Sequence, residues 1–91
     1  MRALCKTERQ LLEVLPETKK AARAQMSWPE QVGWLLVANH MDAAARNKKA
    51  GEAVCLLPGL VEIGAAMRCR LHGWVYWSTA KGRAALKEGK P

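Results

Sequence analysis

Ala66-Met67-Arg68-Cys69-Arg70-Leu71-His72-Gly73-Trp74-Val75-Tyr76-Trp77-Ser78-Thr79-Ala80-Lys81-Gly82-Arg83 spells two strands, a turn and the start of a helix. Met67, Cys69 and Leu71 alternate with Arg68, Arg70 and His72, the period of a half-buried strand whose apolar members face inward. Gly73 follows His72, and glycine takes positive φ at little cost, so His72-Gly73 supplies the turn. Trp74 to Trp77 is a second run of strong strand formers. The segment predicts a hairpin over 66–78 with arginines on one face. Thr79 then caps a helix over 80–88, with Gly82 inside it.

Upstream, the chain reads as helices. Thr7-Glu8-Arg9-Gln10 has the capping-box pattern, and Leu11, Leu12 and Leu15 give a helical stripe over 7–15 that Pro16 ends. Thr18 caps a second helix over 18–26, whose small apolar face is Ala21, Ala22 and Met26. Ser27-Trp28-Pro29-Glu30 opens a third: a serine, a glutamate three residues on and a proline in the first turn, with Trp28 itself a candidate cap because the residue before proline avoids the helical region. This helix is expected to run over 28–46. Val32, Leu35, Leu36 and Ala43 line one side, while Gly33, Trp34, Val37 and Met41 leave the other unusually apolar. Asn47-Lys48-Lys49-Ala50-Gly51 reads as its basic stop. Residues 52–65 leave two readings open, with Ala53 to Leu57 and Leu60 to Ile63 flanking Pro58-Gly59 either as a small hairpin or as the end of one helix and a strand, and extended structure is the preferred one.

The 91 residues allow one domain, 1–91, with a single core. At 49% hydrophobic and 25% charged the composition is globular. No apolar run approaches the roughly 18 residues of a membrane span, and the charged start is not that of a secretory signal, so a cytoplasmic protein without membrane partners is expected. Net charge is +7 and unevenly placed: residues 46–91 hold nine basic side chains against Glu52, Glu62 and Glu88. Such a basic half favours polyanions through counterion release.

Three widely spaced cysteines, Cys5, Cys55 and Cys69, exclude a disulfide scaffold and fit a reducing compartment. Cys69 and His72 would face opposite sides of a strand, so neither metal nor cofactor is expected. His40, near Asn39 and Asp42, has no Ser or Cys at a suggestive spacing, and no phosphate-binding glycine loop occurs. The chain does not read as an enzyme.

Three helices, a hairpin and a terminal helix make an α+β order that resembles the winged helix-turn-helix domains of bacterial and phage transcriptional regulators. Ala22 matches the small residue inside the first helix of the family's bihelical unit. The glycine usual four residues later is Met26 here, and Val32 and Leu35 fall where core residues are expected. Thr79-Ala80-Lys81-Gly82-Arg83 with Ala84-Ala85-Leu86 is similar to the segment after the wing in many such regulators. The resemblance covers most of 7–88 and implies that helix 28–46 enters the major groove while wing 66–78 contacts the backbone or minor groove.

Double-stranded DNA is then the expected partner, with Lys19, Lys20, Arg23, Arg68, Arg70 and His72 as positioning contacts and Gln31 as the base reader. A homodimer through a terminal helix would double these contacts. The other reading is a protein-interaction module on the same scaffold, such as a phage-type inhibitor of a host complex. It would use the apolar side made by Trp34, Val37 and Met41.

Overall fold

Leucines at helical spacing begin the chain's packing. In the computed structural model, which describes residues 2–38 and 41–88, Leu11 and Leu12 sit on α1 (Lys6–Val14) and are fully buried. The cap of α1 lies two residues earlier than the Thr7 pattern suggests: the Cys5 N–H donates to Glu8 Oε1 at 2.9 Å. Arg2 holds the same carboxylate through two hydrogen bonds of 2.9 and 2.6 Å. Leu15 is extended and Pro16 follows, ending the helix. Helix α2 (Lys19–Gln25) starts as its sequence predicts, with Thr18 Oγ1 accepting from the Ala21 N–H at 3.1 Å. It stops at Met26, which takes the left-handed φ of 54°.

The expected helix 28–46 is two helices. Trp28 is the cap of α3 (Pro29–Trp34), as the proline rule predicts, but α3 lasts six residues. Beyond it the N–H groups of Leu35, Leu36 and Val37 bond three residues back, at 3.1, 3.1 and 3.2 Å, tightening the backbone out of the α form. Val37 turns into the interior instead of extending a helical face. Asp42 then starts α4 (Ala43–Glu62), its carboxylate accepting from the Ala45 N–H at 3.0 Å.

Residues 52–65 are correspondingly not extended, since α4 continues to Glu62. Ala50, Ala53, Leu57 and Leu60 form its buried stripe at helical spacing, and burying that stripe overrides Pro58-Gly59. Pro58 lacks the N–H that would bond the Val54 carbonyl, and Val54 lies on the exposed side of the helix, where water can serve it instead. Four helices, not three, therefore precede the hairpin.

Strands β1 (Ala66–Arg70) and β2 (Trp74–Ser78) pair antiparallel, with Arg68 opposite Tyr76 and Arg70 opposite Trp74. The turn is where the sequence puts it, with φ of 52° at His72 and 131° at Gly73. The apolar side faces inward only in part: Val75, opposite Cys69, is buried and Arg68 and Arg70 are exposed, but Met67 is 51% exposed, and Ala66 and Tyr76, on the arginine side, are buried too. The arginines share their face with Trp74 and Tyr76.

Helix α5 (Ala80–Glu88) closes the fold. Thr79 Oγ1 donates to Gly64 O at 2.6 Å and accepts from the Gly82 N–H at 3.1 Å. A Cβ at Gly82 would run into the Ala65 carbonyl, so glycine lets α5 cross β1's entry closely. Arg83 donates to Ser78 O at 2.9 Å and lies 3.5 Å from Glu17. One core joins α1, α3, α4 and the hairpin around Leu11, Leu12, Val32, Leu57, Leu60 and Tyr76.

Candidate functional site

Two packing contacts fix the geometry on the open side of the molecule. Helix α3 packs chiefly on α4, and a Cβ at Gly33 would stand 2.5 Å from Lys49 O and 2.8 Å from Ala50 Cα. Only glycine allows that crossing. The hairpin is stitched to the chain that enters α3 and to the link between α1 and α2. The Tyr76 N–H donates to Ser27 O at 3.1 Å, Ser27 Oγ donates to Tyr76 O at 2.7 Å, and the Ser78 N–H donates to Pro16 O at 2.9 Å. Trp28 Nε1 donates to Leu71 O at 2.7 Å, tying the hairpin tip to the α3 cap. Hairpin, α3 and α4 therefore hold one another.

Between them lies a groove of about 680 Å³. The α3 end contributes Trp28, Glu30, Gln31 and Trp34; α4 contributes Val54 and Pro58; the hairpin contributes Arg68, His72, Trp74 and Tyr76. The guanidinium of Arg68 sits 4.3 Å from the centre of the Trp74 ring, and that of Arg70 sits 4.9 Å from it. Each is a cation on an indole face. Arg46 stands 5.6 Å from the Trp34 ring, and its Nε is buried without a hydrogen-bond partner. Among the described residues, neither Arg68 nor Arg70 is ion-paired.

Of the residues singled out from the sequence, Gln31, Arg68 and His72 meet in this groove, and Arg70 stands at its edge. Arg23 on α2 reaches the hairpin from elsewhere, donating to Arg70 O at 3.2 Å. Lys19 and Lys20 are exposed at the start of α2 and do not line the groove. Trp34, Val37 and Met41 do not form one apolar side: Trp34 lines the groove, Val37 is buried beside the start of α4, and Met41 is 89% exposed. They were expected together only because one helix was expected to carry all three. His40 and Asn39 lie outside the described residues.

The outer face of α4 is the part that sequence reading missed. Asn47, Gly51, Val54 and Pro58 recur at helical spacing, with Lys48 beside them, and all but the half-buried Pro58 are exposed. Val54 and Pro58 border the groove, so this stripe and the arginine face of the hairpin open on the same side. Asp42 as a cap was the available signal, because it separates Asn47 and Lys48 from any helix end. Lys49 is drawn to Glu52 at 3.1 Å instead.

Among the described residues no three His, Cys, Asp or Glu side chains gather as metal ligands, and no helix is long and apolar enough to cross a membrane. Comparison of the chain with protein-family models, with curated proteins and with solved structures finds no match in any of the three.

Proposed function

We propose that this is a small DNA-binding protein of winged helix-turn-helix type, a cytoplasmic regulator of transcription without a catalytic step. In this reading α3 and α4 are the bihelical unit, α4 enters the major groove and the hairpin is the wing. The assignment moves one helix along from the one expected at 28–46, because α3 packs on α4 and α4 leads directly into β1. The observation that carries it is the shared outlook of the α4 stripe and the hairpin arginines.

On that stripe Asn47 has the amide that pairs bidentately with adenine, and Gly51 has no side chain to hold the helix off the base edges. Lys48, Arg68 and Arg70 supply phosphate contacts that position without specifying sequence. In this duplex reading Gln31, on α3 rather than α4, serves the backbone instead of a base edge. Fluorescence anisotropy with a labelled duplex at two salt concentrations tests the reading. Micromolar or tighter binding at low salt that weakens at higher salt is expected; affinity no better than millimolar at low salt overturns it.

A further inference from the structure

The groove is lined by flat side chains that the core does not consume. Trp34 and Trp74 each remain 37% exposed, although a chain this small gains most from burying its largest apolar groups. Both indoles carry a guanidinium, Arg46 on Trp34 and Arg68 with Arg70 on Trp74. The N–H groups of Arg68 and Arg70 meet no carboxylate among the described residues. The volume, about 680 Å³, falls within the roughly 300–1,000 Å³ of small-molecule sites.

A ligand that satisfies these walls is planar and anionic at once. Unpaired bases stack on indole rings and equally on arginine planes, so the Arg68–Trp74 pair is a ready platform whichever surface is met. A phosphate on the same ligand would take the free donors of Arg68, Arg70 and His72. Gln31 offers an amide donor and acceptor, and Glu30 an acceptor, to the polar edge of a base. From this juxtaposition we infer that the groove between α3, α4 and the hairpin is a nucleotide site, taking one base with its phosphate, either as a free nucleotide or from an unpaired stretch of a DNA strand. In its strand form the inference rests on the nucleic-acid reading above and extends it from duplex to unpaired DNA.

The four indole N–H resonances of the ¹⁵N-labelled protein report on the site without any substitution. Trp28, Trp34 and Trp74 line the groove, and Trp77 lies on the other face of the hairpin. Titration with deoxyadenosine monophosphate, with a short oligothymidylate and with an abasic strand of the same length is expected to shift the first three and leave Trp77 in place, with the abasic strand much the weakest. Shifts with the mononucleotide assign the site to free nucleotides, and shifts with oligothymidylate alone assign it to a strand. Trp34→Ala, and independently Arg68→Gln, should weaken the ligand that binds by about tenfold, the scale of one stacked base. Duplex binding with no groove shift from any unpaired ligand overturns the inference and leaves the duplex reading standing. Equal binding of abasic and base-bearing strands overturns it too. Groove shifts without duplex binding sink the duplex reading and keep the inference.

Discussion

Met26 occupies a backbone region that costs most L-residues about 1–2 kcal/mol, at the C-cap of α2, where glycine would sit without that cost. Its side chain is 51% exposed and contributes little packing in return. Met26→Gly is therefore expected to stabilise the protein by about 0.5–1 kcal/mol in urea unfolding, the gain being trimmed by the added freedom of the unfolded chain. In the first turn of α1, hydrogen bonding from Arg2 holds the buried Glu8 carboxyl down at about 2, with the Cys5 N–H assisting and burial pushing the other way. A carboxyl lowered on folding stabilises fully above its unfolded pKa and loses that contribution as pH falls through the folded one. Stability should thus decline between about pH 4.5 and pH 2 through this group, and Glu8→Gln should flatten that part of the profile. Arg2 is half exposed, so solvent screening keeps the effect small, about 1 kcal/mol. The Thr79-Ala80-Lys81-Gly82-Arg83 motif was legible as a helix start, and its packing role was not. The carbonyl that meets Gly82 is Ala65's, seventeen residues earlier, and no local rule names it.

Among the elements, what the sequence made plain was whatever carries its own punctuation. Thr18, Trp28-Pro29, His72-Gly73 and Thr79 each mark a boundary by backbone chemistry that needs no tertiary partner, and each lies where expected. The failures occur where packing outvotes punctuation. The apolar run after Trp34 looked like more helix, and Pro58-Gly59 looked like a turn, yet the stripe of Ala53, Leu57 and Leu60 carries α4 through both residues. A proline inside a helix costs about 3 kcal/mol where nothing has adapted to it. Pro58→Ala restores an N–H facing Val54 O and is expected to stabilise α4 by about 1–3 kcal/mol, read as a higher urea midpoint at unchanged slope. A loss of stability would mean that the ring is itself a packing element of the groove wall. The same misjudged boundary hid the site. With α4 unseen, Asn47 and Lys48 looked like a helix stop, and the arginines of β1 lacked the surface they share.

For the molecule as a whole, the charge imbalance was readable from composition, whereas its placement was not. Alternation correctly put Arg68 and Arg70 on one face of the hairpin, but only the pairing with Trp74 and Tyr76 turns that face toward α3 and α4. If duplex binding uses Lys48, Arg68 and Arg70 on phosphates, log K should fall with log salt at a slope of about −3, and Arg70→Gln should reduce the slope by about 1 at every sequence tested. An unchanged slope removes Arg70 from the interface. The stitching of β2 to Ser27 and Pro16 has a consequence for how the chain behaves in company. A two-stranded sheet exposes two edges, and an unpaired edge is a template onto which another chain can add a strand. On β2 the outward N–H groups of Tyr76 and Ser78 are already taken by the backbone carbonyls of Ser27 and Pro16, and their carbonyls accept from the side chains of Ser27 and Arg83. On β1 the outward carbonyl of Arg70 is held by Arg23, and the whole strand is only five residues long and carries two like charges. Small as it is, the sheet is guarded on both sides against the edge-to-edge growth that begins fibrils.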